Sequence, residues 1–349
     1  MSQTIAIAGR SIGPGSPSFL IAEVAQAHDG SLGTAHSYID AAADAGVDAI
    51  KFQTHIAEAE STLDEPFRVR FSPQDDTRYD YWKRMEFTPE QWEGLVRHAA
   101  ERKIVFLSSA FSVAAVVLLK RLGMPAWKVG SGEVRSRELL DAMAEAGGPV
   151  LLSSGMSSFD EIGEAVTRLR NRGAEVGLFQ CTSQYPVALD AVGINVIGEL
   201  RQRFACPVGL SDHSGTVFPT LAAMAAGADM IEAHIVFDRR MYGPDTPASL
   251  TVEQFRFLAE ARDAFSLLQA NPVDKDAVAA ASAPMRTIFG KSVATVADLE
   301  AGTILTAELL TMKKPGTGIP AKDLEHLVGR RLARRVEARR LLTWEDIDA

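Results

Sequence analysis

Ile104-Val-Phe-Leu-Ser-Ser109, a helical segment over 112–122, and Ala126-Trp-Lys-Val-Gly-Ser-Gly-Glu133 make one repeating unit. Each β run is apolar throughout and turns polar at its C-terminal end, the pattern of a strand buried on both faces of a parallel sheet. The unit recurs in both directions. Downstream come helix 136–146 and Pro149–Gly155, helix 158–172 and Val176–Ser183, helix 190–204 and Pro207–Ser214, helix 216–226 and Met230–Asp238, then a helix over 251–270. Upstream lie Phe19-Leu-Ile-Ala-Glu-Val-Ala25 with a helix over 34–45, and Asp48-Ala-Ile-Lys-Phe-Gln-Thr-His55 with a helix over 88–102. Eight alternating units predict a parallel sheet closed as an α/β (β/α)8 TIM barrel. A doubly wound open sheet is the competing fold, and the first strand lacks the glycine fingerprint of its dinucleotide-binding form.

The long insertion 57–87 interrupts this rhythm with Pro66, Pro73 and the aromatic cluster Tyr79, Tyr81 and Trp82, as an ordered lid would. The barrel is assigned to 1–270. The segment 271–283 reads as a linker, and 284–349 as a small, mostly β domain with short runs between Gly- and Pro-rich turns. That last stretch carries 11 Lys+Arg against 9 Asp+Glu, whereas the whole chain has a net charge of −9, so the acidic excess lies in the barrel. Such a balance argues against a nucleic-acid or membrane binder. The tail's arginines, Arg330 to Arg340, read as a solvated face. Cys181 and Cys206 form no metal or disulfide spacing, and neither a signal peptide nor a long apolar span is evident, which points to a cytoplasmic protein.

In a (β/α)8 barrel the chemistry lies at the C-terminal strand ends. Here those ends carry Glu23, Lys51, Gln53, Ser109, Lys128, Ser131, Glu133, Ser154, Thr182, Ser211, His213 and His234. Side-chain alternation places Ser211 with His213, and Glu232 with His234, on common faces, so two imidazoles on adjacent strands could hold one divalent ion. Two hydrogen-bonded core histidines are the competing reading. Zinc would want a third protein ligand, so manganese or magnesium is the better match. Lys51 and Lys128, among serine hydroxyls and Gly130, Gly132 and Gly155, suit an anionic substrate bearing phosphate and carboxylate. Ion pairs with Glu23 or Glu133, or Schiff-base catalysis by one lysine, are the alternatives. Glu23 and Glu133 are the acid/base candidates, in either assignment.

The motifs Ala22-Glu-Val-Ala-Gln-Ala-His-Asp-Gly30, Lys51-Phe-Gln-Thr-His55, Trp127–Glu133, Ser153-Ser-Gly-Met156, Cys181-Thr-Ser-Gln-Tyr-Pro186, Gly209–His213, Glu232-Ala-His234 and Gly243-Pro-Asp245 follow one another in an order that resembles the sialic acid synthase family. The tail, with Lys314-Pro-Gly-Thr-Gly318, resembles that family's antifreeze-like (SAF) domain. The resemblance implies condensation of phosphoenolpyruvate with an N-acetylmannosamine-type sugar, or with a 2,4-diacetamido-trideoxy hexose on the way to legionaminic or pseudaminic acid, with release of phosphate. It implies Mn2+, or another divalent ion, on His213 and His234. Phosphoenolpyruvate would lie on Lys51, Ser109, Lys128, Ser131, Ser154, Ser183 and Ser211, and the sugar on Glu23, Gln53, Glu133, Tyr185 and Asp245. It further implies a domain-swapped homodimer in which Lys314 reaches the partner's sugar.

Four positions depart from the family pattern: Ala27 for Asn, Ser183 for the Asn of bacterial members, Ala233 for Arg, and Lys314 for Arg. Lysine keeps the charge of the last and loses its bidentate fork. These departures bear on which sugar is taken. A Schiff-base aldolase and a non-catalytic sugar-binding paralogue are the readings set against a synthase.

Overall fold

The computed structural model describes residues 4–348; Met1–Gln3 and Ala349, at the outer edges of the two assigned domains, lie outside them. The chain divides between Ala270 and Asn271 into two compact units. The first opens with an antiparallel hairpin, β1 (Ile5–Ile7) and β2 (Arg10–Ile12). Eight parallel strands follow: β3 (Phe19–Ala25), β4 (Ala49–Thr54), β5 (Val105–Ala110), β6 (Trp127–Val129), β7 (Val150–Ser153), β8 (Val176–Cys181), β9 (Val208–Asp212) and β10 (Met230–Val236). They pair in chain order, and β10 pairs with both β9 and β3. That closure makes a barrel and excludes the open sheet.

The helices are α1 (Leu32–Asp44), α2 (Ala57–Glu60), α3 (Arg78–Met85), α4 (Pro89–Glu101), α5 (Val113–Arg121), α6 (Arg137–Ala146), α7 (Phe159–Asn171), α8 (Ile194–Phe204), α9 (Phe218–Ala225) and α10 (Val252–Ala270). All but α2 and α3 follow the strands as the repeating unit requires. Their starts are written locally. Thr88 with Gln91, and Ser158 with Glu161, form capping boxes that satisfy the orphan amides of the first turn, and Pro89 occupies the first turn of α4, where no amide hydrogen is missed.

The barrel interior is layered. At its N-terminal end Ile5, Ile7 and Ile12 of the hairpin join Phe19, Leu107 and Phe179 in one apolar cluster. The hairpin therefore plugs the bottom of the barrel, a role not expected from the opening residues. Gly209 is needed for strand approach, because a Cβ there would stand 2.2 Å from the Met230 carbonyl oxygen. The insertion 57–87 contains α2 and α3, and its Tyr81, Trp82 and Met85 pack with Phe67 and Phe71 in a cluster of their own.

In the second unit, β11 (Ser292–Thr295) pairs antiparallel with β12 (Leu310–Lys313), and single bridges join Ile304 to Arg331 and Leu299 to Val336. The segment 271–283, read as a linker, contains α11 (Lys275–Ala281), and α12 (Ala283–Phe289) follows. Alanine favours helix, and the Asp274 carboxylate caps the start by accepting from the amides of Asp276 and Ala277. Among the described residues no helix is long and apolar enough to cross a membrane.

Candidate active site

Strand register assembles the site. Glu232 lies opposite Ser211, His234 opposite Glu23, and Glu23 opposite Lys51. Gln53 lies opposite Ser109, and Ser109 opposite Lys128. Residues paired this way face the same side of the sheet, so one polar layer forms above the apolar filling. Its charges are buried together. Lys51 Nζ is 2.5 Å from Glu23 Oε2 and 3.7 Å from Glu232 Oε2, and Lys128 Nζ is 3.3 Å from Glu232 Oε1. Lys51 also donates to Ser109 Oγ at 3.2 Å, and Lys128 to Ser153 Oγ at 2.6 Å.

Glu232 shares its carboxylate between both lysines. Burial alone would raise its pKa, but Lys128 and Lys51 outweigh that and hold it at about 2. Glu23 goes the other way: burial pushes it up against the pull of Lys51, and the nearby Glu232 adds to the rise. Lys51 itself is raised, since the two carboxylates outweigh its burial. It is held as an ammonium, which opposes a Schiff-base role for it.

His213 Nδ1 donates to the Thr182 carbonyl at 3.0 Å, which leaves Nε2 as a bare acceptor. Burial, then the neighbouring His234, lower its pKa to about 3, so the ring is neutral. The two imidazole centroids are 5.3 Å apart, and Tyr185 stacks on His213 at 4.0 Å. His234 Nδ1 lies 3.9 Å from Asp245 Oδ2. Two imidazoles facing one cavity fit a divalent ion whose remaining positions belong to water or substrate. Among the described residues no group of three or more His, Cys, Asp or Glu converges as a closed metal site.

All of these side chains line one cavity of about 330 Å³. Glu23, Lys51, Gln53, Ser109, Lys128, Ser131, Glu133, Ser183, Tyr185, Ser211, His213, His234 and Asp245 are in its wall. Glu133 ends the short turn after β6, half-buried, and burial followed by the charge of Glu60 raises its pKa. Gly155 keeps the wall open: a Cβ there would meet Ser183 Oγ at 2.4 Å and Ser131 Oγ at 2.6 Å.

Two predicted residues are not in that wall. Ser154 is corrected to Ser153: alternation at the end of β7 turns Ser153 inward, while Ser154 donates to Gln180 Oε1 at 3.3 Å. Lys314 belongs to the second unit, where its Nζ sits 5.3 Å over the Phe289 ring. Other wall residues were missed. Strand parity puts Glu232 on the face of His234 but gives it no role there, although its carboxylate lies between both lysines. Arg68 comes from the insertion, holds Asp245 Oδ1 at 2.7 Å and covers the Tyr185 ring at 4.2 Å. Nothing in the sequence pairs positions 68 and 245.

Comparison with known proteins identifies the family. The NeuB family profile matches residues 38–272 and the SAF domain profile residues 290–348. The N-acetylneuraminate-9-phosphate synthase of Homo sapiens is 32% identical over 97% of this chain and 95% of its own. An N,N'-diacetyllegionaminic acid synthase of Campylobacter jejuni is 31% identical over 89% of this chain and 94% of its own. The crystal structure of an N-acetylneuraminic acid (sialic acid) synthetase from Leptospira borgpetersenii superposes with a TM-score of 0.72 at 29% identity, covering 82% of this chain and 97% of that one. With its closed barrel, its strand-end site and its SAF tail, the chain belongs to the NeuB family, the sialic acid synthases.

Proposed function

We propose that the protein condenses phosphoenolpyruvate with the open-chain aldehyde of an N-acetylmannosamine-type sugar, giving a nonulosonic acid and phosphate. The observation that carries this reading is the pair of buried ammoniums, Lys51 and Lys128, ringed by Ser109, Ser153 and Ser211 in the cavity that also holds the two imidazoles. Within the layer Glu23 meets Lys51 and the two lysines share Glu232; a substrate bearing phosphate and carboxylate adds anions from the cavity side. Relatives named for sialic, legionaminic and pseudaminic acids support the product class.

In this reading Lys51, Ser109, Lys128, Ser131, Ser183 and Ser211 hold phosphoenolpyruvate, with Ser153 in the place first read for Ser154. Gln53, Tyr185 and Asp245 orient the sugar. His213 and His234 would hold the divalent ion, manganese or magnesium. When bound there, such an ion supplies Lewis-acid polarisation of a carbonyl. The π electrons of phosphoenolpyruvate form the bond from its C3 to the aldehyde carbon, and the aldehyde oxygen takes a proton. Glu133, raised by its burial, is suited to donate it. Water then adds at C2 and gives up a proton to a carboxylate, with Glu23 placed for that work. The bond from C2 to the phosphate oxygen then breaks, its electron pair leaving with phosphate, which takes up the proton of the C2 hydroxyl as the ketone forms.

Phosphoenolpyruvate carrying 18O at its bridging position tests the sequence of bonds. The label should leave in phosphate; label retained at C2 of the product would mean P–O cleavage and overturn it. His213→Ala should abolish turnover while the barrel stays folded, and undiminished activity in chelator would contradict the metal assignment. We also propose a homodimer in which Lys314 of each tail completes the partner's sugar site.

A further inference from the structure

His55 lines the cavity and takes no part in the chemistry above. It is the first residue past β4, and its ring lies between Trp82 of α3, at 3.9 Å and 17° between planes, and Phe111, at 4.5 Å and 9°. Both faces are covered, so only the edge is left for polar contact. Nδ1 meets the Glu60 carboxylate, and Nε2 lies 3.2 Å from Gln53 Oε1.

The orientation of Gln53 is set from its far side. Its Nε2 donates to Glu23 Oε1 at 3.0 Å, and its Oε1 accepts from Gln26 Nε2 at 2.9 Å. Turned over, the amide would present its carbonyl to the Glu23 carboxylate, acceptor against acceptor. With Gln53 fixed, both nitrogens of His55 face acceptors. The pattern closes with hydrogen on Nε2 toward Gln53 and one proton between Nδ1 and Glu60, while the ring is held between two aromatic faces.

We propose that His55, clamped by Glu60, is a positioning residue that locks the Gln53 amide toward Glu23 and so fixes the sugar-binding end of the cavity. This deepens the proposed function and rests on its assignment of Gln53 to the sugar.

Two readouts on the full-length protein test it. The chain has seven histidines, so the 15N-histidine spectrum is simple enough to assign, and His55→Phe, which keeps an aromatic ring in the stack, identifies the signal. The ring of His55 should show an N–H correlation at Nε2, the nitrogen that faces Gln53; a bare Nε2 would overturn the clamp. In steady-state kinetics His55→Phe should raise the KM for the acceptor about tenfold, the loss of one hydrogen bond, and leave the KM for phosphoenolpyruvate within about twofold. Glu60→Gln keeps the shape, should shift the acceptor KM the same way, and serves if His55→Phe does not fold. Equal changes in both KM values, or none, would contradict a positioning role. If the wild-type protein consumes no acceptor, the functional reading fails while the spectrum still decides the clamp.

Discussion

Glu232 is the residue on which the two lysines depend. Removing its charge by Glu232→Gln leaves Lys51 and Lys128 short of a counterion in a buried layer, at a cost of about 3 kcal/mol. Inorganic phosphate or phosphoenolpyruvate should restore part of that loss by supplying the missing anion. Thermal unfolding with and without phosphate checks this, and an unchanged, phosphate-insensitive transition would contradict it. His28 makes a pH prediction. The Gly30 amide donates to its Nδ1 at 3.1 Å, while its Nε2 is buried without a partner, and burial lowers the ring's pKa from 6.5 to about 3. The unfolded chain therefore binds more protons between those values, and stability falls as pH drops below 6.5. From pH 6.5 to 5 the loss from this ring is about 2 kcal/mol. Urea unfolding at both pH values should show that increment in wild type and its absence in His28→Gln. At this scale the sequence was informative where strand parity decides a side chain's direction: Glu23, Lys51, Lys128, His213 and His234 stand where alternation puts them. It failed at Ser154 because two adjacent serines close a short strand, and only the register says which one turns inward.

Among the elements, the eight strands were legible because an apolar run with a polar end reports burial on both faces. The hairpin β1/β2 was not, since three-residue strands carry almost no periodic signal. Its packing is nonetheless part of the barrel: Ile7 is fully buried in the lower cluster, and Ile7→Ala should cost about 3 kcal/mol through the cavity it leaves. Equilibrium unfolding should show that loss with the acceptor KM unchanged, because the polar layer lies elsewhere in the barrel. The insertion was readable as ordered from its aromatics, which do form a cluster. Its contacts at the cavity were not readable, because Arg68 with Asp245 and His55 with Glu60 depend on how a long loop folds back. The helix in 271–283 was masked by its Asn-Pro start, although Asp274 and the alanines that follow carry the helix signal.

For the whole molecule, the predicted dimer has a clean genetic test. Lys314→Ala removes the tail's contribution and His213→Ala the barrel's. If each tail completes the partner's site, a mixed dimer of the two inactive variants regains one intact site, since an intact barrel then meets an intact tail. Recovered activity on mixing is the expected outcome; activity in the Lys314→Ala chain alone, or a fully active monomer by light scattering, would contradict the swap. The family was legible over the whole chain because its motifs sit at strand ends, where chemistry restricts residue choice. The acceptor is less so: of the four departures only Ser183 lines the cavity, so the wall itself says little about why Ala27, Ala233 and Lys314 differ.

The central claim is that this cavity consumes phosphoenolpyruvate only in the presence of an acceptor sugar. It is tested most directly by phosphate release from phosphoenolpyruvate and Mn2+, run in parallel with N-acetylmannosamine, its 6-phosphate and a 2,4-diacetamido-trideoxy hexose. The account predicts release that depends on one of these sugars and disappears in Lys128→Ala. Release without any acceptor, or none from folded protein with all three, would contradict it.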